Sequence, residues 1–322
     1  MTTVRSPYDP ELWEVLKTLP PEPPITHETI LAERDDKAAA FHEELPKWPD
    51  IIYRDVEIAG PDGVLVLSVL ESATSTASNR PAIYFIHGGC FVMGHRLDSI
   101  PTYFPLIKEH DVVVFTVEYR LAPEHPDPAP IDDCYAGLKW MSEHASELRV
   151  DPERILIAGF SAGGGLAAGI SLLVRDRGGP KLCGQLLMCP MLDDRVTTVS
   201  GKQFMTEGTL TGQECIDSWN MLLLPYGRGV SSVSMYAAPS RATDLSRLPE
   251  AWVDVGSAEA LRDECVEYAS RLWEFGTQCE LHVWPGAYHV FDLIVPGSKL
   301  AKTAVAMRMQ WMKRVLKIRS WE

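Results

Sequence analysis

From Pro81 onward, short runs of β-branched and aliphatic residues alternate with longer amphipathic stretches. The runs are "AIYFIHGG", "DVVVFTVEY", "RILIAGFS", "GQLLMCPML", "AWVDVGS" and "CELHVWPG". A strand covered on both faces reads as a continuous apolar run, and strands joined through helices pair in parallel. The pattern therefore predicts an α/β fold, a mainly parallel sheet with helices on both faces. Upstream, "DVEIAGPDGVLVLSVLES" holds two β-type runs about a Pro-Asp-Gly turn, which predicts a hairpin. The first fifty residues read as two helices separated by "LPPEPPITHE", with Leu12, Trp13, Val15 and Leu16 at helical spacing in the first.

Residues 193–248 break the alternation. They hold helical pieces such as "GQECIDSWNMLLL" and no convincing strand, so they read as an insertion between two sheet strands. The expected organisation is N-terminal cap helices over 1–50, a catalytic core of 51–192 and 249–322, and a cap insertion over 193–248. Phe204, Met205, Trp219, Leu222, Leu223 and Leu224 of that insertion, with Phe160 of the core, are candidates to line an apolar acyl or alcohol pocket, although residues at helical spacing also serve as core. The last helix, from Ser298 to Ile318, carries Lys302, Arg308, Lys313, Arg314 and Lys317, which read as its solvated face.

Composition narrows the classes of function. With 322 residues and 46% hydrophobic content the chain can bury a substantial core. A net charge of −14 repels phosphate backbones and anionic bilayers, so neither nucleic acid nor stable membrane insertion is expected. Seven cysteines without CxxC or Cys/His spacing argue against a disulfide framework or a zinc site and fit a reducing setting. The N-terminus lacks an apolar run of signal-peptide length, which makes a cytoplasmic location the expectation.

Candidate chemistry begins at "ILIAGFSAGGGLAAGISLLV". Gly159-Phe160-Ser161-Ala162-Gly163 stands after an apolar strand and before a small-residue helix, the context in which G-x-S-x-G lifts a serine above a sheet. The helix start offers free amides, so the Ala162 N–H can serve as an oxyanion donor. A serine nucleophile needs a base. His289, in "PGAYHVFD" after a strand, lies at the strand end where open α/β sheets carry their chemistry. Of the carboxylates in "WVDVGSAEALRDE", Asp254 falls in the strand and Asp263 and Glu264 in the following helix. Glu259 lies on the turn between them and is the chosen partner of His289. The order Ser, Glu, His is that of α/β-hydrolases.

"HGGC" about seventy residues before "GFSAGG", with "EYRLAPEHPDPAPIDDCYAGLKW" between them, resembles the hormone-sensitive-lipase-like branch of α/β-hydrolase esterases, whose usual forms are HGGG and GDSAGG. "GSAE" and "HVWPGAYHVFD" look like fungal members. The resemblance runs from about Asp55 to Phe291 and implies an eight-stranded sheet with a helical cap. It aligns Glu259 with the family's catalytic Asp and gives the oxyanion donors as the amides of Gly89 and Cys90 with that of Ala162. Cys90 replaces a glycine but keeps its N–H. An ordinary negative φ is expected there, with cysteine narrowing the pocket. The implied activity is cleavage of a small or medium carboxylic ester through an acyl-enzyme, without metal or organic cofactor, and a homodimer is left open. A lactonase or pathway-specific deacylase, a non-hydrolytic dehydratase or cyclase, and a small-molecule receptor are the competing readings on the same scaffold.

Overall fold

The computed structural model describes residues 4–20, 24–34 and 38–318. Its eight strands are β1 (Ile51–Gly60), β2 (Gly63–Ser72), β3 (Arg80–Ile86), β4 (Val113–Val117), β5 (Val150–Phe160), β6 (Gly184–Met188), β7 (Ala251–Gly256) and β8 (Cys279–Trp284). They form one sheet in the order β1-β2-β4-β3-β5-β6-β7-β8. β1, β2 and β4 pair antiparallel, and every pairing from β4 through β3 to β8 is parallel. The hairpin β1–β2 turns at Pro61 and Asp62, with Gly60 opposite Gly63. All six apolar runs after Pro81 are strands, as the pattern predicts.

Alternation along the central strands builds two cores. Tyr84 and Ile86 of β3, with Ile155 and Ile157 of β5, face one side of the sheet; Ile83, Phe85, Leu156 and Ala158 face the other. All eight are fully buried, which is why these strands read as unbroken apolar runs. The helices, in chain order, are α1 (Pro10–Leu16), α2 (His27–Glu33), α3 (Ala39–Glu44), α4 (Phe104–His110), α5 (Ala129–Glu143), α6 (Ala162–Arg177), α7 (Val199–Gln203), α8 (Gly212–Leu222), α9 (Arg262–Glu274), α10 (Phe291–Ile294) and α11 (Lys299–Val315). Residues 193–248 contain α7 and α8 and no strand, and they stand between β6 and β7. No helix among the described residues is long and apolar enough to cross a membrane.

Among the described residues of the first fifty there are three α-helices rather than two helices. A capping box at Thr26 starts α2, while α3 starts separately after Ala38, whose φ of +62° no α-helix continues through. α1 is capped by Asp9, whose carboxylate accepts from the amides of Glu11 and Leu12. The Asp9 amide in turn donates to the Gly286 carbonyl at 2.9 Å, and the Glu11 carboxylate accepts from the Lys299 amide at 3.1 Å. The N-terminal segment is thus fastened to the loop after β8 and to the start of α11.

The basic residues of α11 do not all face solvent. Arg308 is 8% exposed, and its Nη2 donates to Asp254 of β7 at 2.7 Å while its Nη1 donates to Asp292 of α10 at 2.8 Å. Asp254 also accepts from the Trp284 indole. Two buried carboxylates close to the sheet require a buried cation, and a charge pattern along one helix does not reveal that partner. Arg308→Ala leaves both carboxylates buried and unpaired, so an unfolding titration in urea is expected to show a loss of about 3–5 kcal/mol. A loss below about 1 kcal/mol contradicts the assignment of Arg308 as their counter-charge.

Candidate active site

β5 ends at Phe160 and α6 begins at Ala162, so Ser161 alone makes the turn between them. Its φ of +55° and ψ of −124° lie outside the regions that L-residues prefer. The flanking glycines let the turn close. A Cβ on Gly159 would stand 2.2 Å from the Gly163 carbonyl oxygen, and one on Gly163 would stand 2.2 Å from the Ile86 carbonyl oxygen. The Ser161 amide donates to the Met188 carbonyl, and the Ser161 carbonyl accepts from the amides of Gly165 and Met191. Ser161 is therefore held from β6 on one side and from its own helix on the other.

Two further strand ends meet it. His289 follows β8, and its Nε2 lies 3.0 Å from Ser161 Oγ. Its Nδ1 lies 2.6 Å from Glu259 Oε2, on the turn after β7. The other carboxylate oxygen, Glu259 Oε1, accepts from the Gly256 amide at 2.6 Å, which fixes the acid against its own strand. Ser161, Glu259 and His289 are 4%, 2% and 5% exposed. Burial disfavours imidazolium, but the Cys189 and Glu259 side chains beside the ring together outweigh it and hold the His289 pKa well above the ordinary histidine value. The Cys189 thiol lies beside the same imidazole. Burial pushes the thiol's own pKa up.

The neighbouring acids have other partners. Glu264 is buried and accepts from the amides of Leu192 and Asp193, and burial raises its pKa well above the ordinary carboxylate value. Asp263 accepts from the Ser200 amide at 2.7 Å and ties α9 to α7.

The "HGGC" turn lies beside the elbow, where Phe160 packs against Gly88. The Gly89 carbonyl accepts from both the Val92 amide, at 3.0 Å, and the Met93 amide, at 2.8 Å. Cys90 and Phe91 between them have φ of +57° and +64°, the pattern of a type I′ turn. The expected negative φ at Cys90 is therefore corrected: a tight turn closing on the Gly89 carbonyl places both central residues in the left-handed region. That conformation costs an L-residue about 1–2 kcal/mol. Packing offsets it, because Phe91 is fully buried against Trp219 with ring centroids 5.0 Å apart, and the Cys90 thiol faces Ser218 of α8. Burial raises the Cys90 pKa, which disfavours a thiolate there. Among the described residues, the amides of Gly89, Cys90 and Ala162 have no hydrogen-bond acceptor.

The pocket candidates separate. Phe204, Trp219, Leu222 and Leu223 are buried in the core at 1% exposure or less. Leu224 is exposed. Met205 lines an open groove of about 430 Å³ with Tyr8, Trp13, Thr209 and Thr211. The Thr209 hydroxyl donates to the His289 carbonyl at 2.7 Å, so this groove adjoins the histidine loop. Phe160 lies on the opposite side, stacked on Phe85. Sequence reasoning missed Cys189 and Thr209. Cys189 directly follows the β6 strand end, and that position is the signal that could have found it.

A family model described as an alpha/beta hydrolase fold matches residues 83–293. The carboxylesterase NlhH of Mycobacterium tuberculosis is 33% identical over 329 residues, covering 98% of each chain. Among solved structures, a bacterial heroin esterase is 35% identical, with a TM-score of 0.89 over 97% of this chain and 98% of that one. The esterase LipW from Mycobacterium marinum is 28% identical, with a TM-score of 0.85 over 98% of this chain and 99% of that one.

Replacing Cys90 tests the turn. Cys90→Gly removes the left-handed strain but gains unfolded-state freedom, so thermal denaturation is expected to shift by no more than about 1 kcal/mol in either direction. Cys90→Val, β-branched at positive φ, is expected to lose more than about 2 kcal/mol. Equal stability of the two variants contradicts the turn conformation.

Proposed function

Because the chain belongs to the hormone-sensitive-lipase-like esterases of the α/β-hydrolase fold, and is a carboxylic ester hydrolase, we propose that Ser161 is its nucleophile, His289 its general base and acid, and Glu259 the group that orients His289. One observation carries the assignment: the continuous relay from Ser161 Oγ through both ring nitrogens of His289 to Glu259. With Nδ1 donating to Glu259, Nε2 is left as the acceptor that takes the serine proton as Oγ attacks the ester carbonyl. The amides of Gly89, Cys90 and Ala162 receive the developing oxyanion. Imidazolium then returns the proton to the leaving alcohol, and water releases the acid from the acyl-enzyme by the same steps in reverse.

Residues 1–50 and 193–248 form the cap in this reading. Its support is that both press on the histidine loop, through Asp9 to Gly286 and through Thr209 to His289. A small or medium ester is the substrate in this reading; the groove of about 430 Å³ between the two segments is lined by none of Ser161, Glu259 and His289. A cytoplasmic location is proposed on the seven free cysteines.

Ser161→Ala is expected to fold normally and to hydrolyse p-nitrophenyl acetate about a thousandfold or more slowly. A residue of more than a tenth of wild-type kcat removes Ser161 from the mechanism. Glu259→Gln is expected to lower kcat by orders of magnitude, whereas Asp263→Asn acts on stability through the lost anchor to Ser200. The reverse ranking moves the acid to Asp263.

The base must be neutral to accept the serine proton, so activity falls as pH drops through the folded pKa of His289. Because that pKa is raised, the acid limb of kcat/KM is expected above pH 6.5. The same raised pKa means that protonated His289 adds to stability below its unfolded value, a contribution lost as pH rises through the folded value. Glu259→Gln removes one of the two side chains that raise it and is expected to shift the limb to lower pH. An unshifted limb in Glu259→Gln rejects Glu259 as a source of the shift.

A further inference from the structure

The segment between β6 and β7 meets the relay at two backbone carbonyls, one beside the acid and one at the histidine. The Ser200 hydroxyl of α7 donates to the carbonyl of Ala260, the residue after Glu259, at 2.8 Å. The Thr209 hydroxyl donates to the carbonyl of His289 itself at 2.7 Å. The two donors are near one another in the chain, yet they hold loops from different strand ends, the turn after β7 and the loop after β8. One short stretch of chain therefore braces both ends of the contact between Glu259 and His289.

Thr209 is itself firmly seated. The loop that carries it closes at its base, because the Gly212 amide donates to the Phe204 carbonyl at 2.9 Å and the Gln213 amide to the Met205 carbonyl at 3.1 Å. A Cβ on Gly212 would stand 2.4 Å from the Gly201 carbonyl oxygen, so backbone lies directly on backbone there. Leu210 is buried, and the capping box at Thr211 starts α8 at once.

The histidine loop depends on that seat. Earlier in the loop, Gly286 is held by the Asp9 amide and by the Ser257 hydroxyl oxygen, and the Ala287 carbonyl accepts from the Ala258 amide at 3.0 Å. Past His289 the chain turns through Val290 at φ +51°, and no backbone amide among the described residues donates to the His289 carbonyl. Thr209 supplies that donor from its side chain. The ring contacts of 3.0 Å to Ser161 and 2.6 Å to Glu259 leave little tolerance for rotation of the peptide that carries them.

We propose that Thr209 is a positioning residue for ester hydrolysis: by holding the His289 carbonyl, its hydroxyl fixes the imidazole between Ser161 and Glu259. The proposal rests on the catalytic roles given above, and Thr209 acts through the backbone of His289.

Thr209→Val replaces the hydroxyl with a methyl group of similar shape, whereas Thr209→Ser keeps it. Per folded molecule, Thr209→Val is expected to lower kcat for p-nitrophenyl acetate at least about fivefold with KM within about twofold, and Thr209→Ser to restore kcat to within about twofold of wild type. Should Thr209→Val not fold, Thr209→Ala compared with Thr209→Ser isolates the same hydroxyl. A second readout needs no turnover. The Nδ1 proton directed at the Glu259 carboxylate gives a far-downfield proton NMR resonance, assigned by its loss in His289→Gln. It is expected to be sharp in wild type and Thr209→Ser, and shifted or broadened in Thr209→Val. The same resonance is read in Ser161→Ala, so failure of the catalytic assignment, seen as retained turnover in that variant, is distinguishable from failure of the positioning role. A smaller loss of kcat in Thr209→Val, or an equal loss in Thr209→Ser, overturns the role of the hydroxyl. A rise in KM alone makes Thr209 a substrate contact and overturns positioning. A loss of kcat with an unmoved resonance overturns the route through His289.

Discussion

The backbone at Ser161 is the constraint from which the site follows. A residue at φ +55° between a strand and a helix carries its side chain above the strand ends, and the amide of the next residue begins a helix with no carbonyl to satisfy it. One strained residue therefore presents the Ser161 hydroxyl and the Ala162 amide together, the two groups that the proposed mechanism assigns as nucleophile and oxyanion donor. The neighbours adapt to it: β3 approaches closely enough that Gly163 tolerates no side chain, and the β6 exit loop contributes the Met191 amide to the Ser161 carbonyl. Strain of this kind persists only where surrounding contacts over-determine it, and the small-residue start of α6, buried through Gly163, Gly164 and Gly165, supplies that packing.

The strands were legible because parallel pairing buries both faces, and continuous burial leaves a continuous apolar run in the sequence. The meeting of Ser161 and His289 was legible for a related reason: each stands where an apolar run stops. The contact of Glu259, rather than Asp254, Asp263 or Glu264, with His289 was legible from its place on a turn, since a turn side chain can reach the adjacent loop and a strand or helix side chain is already directed elsewhere.

What could not be read depends on contacts between distant segments. Arg308 looks like any cation on an amphipathic helix until the fold sets Asp254 and Asp292 against it. The left-handed φ of Cys90 comes from the closure of the turn on the Gly89 carbonyl and from the burial of Phe91 against α8, neither of which leaves a mark in the local composition. Phe204 and Trp219 illustrate the same limit, because helical spacing identifies an apolar face without saying whether that face covers a pocket or a core.

The fastening of the N-terminal segment bears on how the protein comes into being on the ribosome. The bond between Glu11 and Lys299 joins residues 288 apart in the chain, and the contact between Ser161 and His289 spans 128. A nascent chain that has already produced the β5–α6 elbow still lacks β7, β8 and the loop that carries His289, while its first helix has no Gly286 carbonyl or α11 on which to dock. Local hairpin and β3–β5 contacts can form early, but the hydrolytic centre closes only when the last quarter of the chain has emerged and the first residues fold back onto it. Until then the elbow is held by its own glycines and Ser161 has no His289 beside it, so under the proposed mechanism the esterase activity belongs to the finished molecule and to no intermediate of its synthesis.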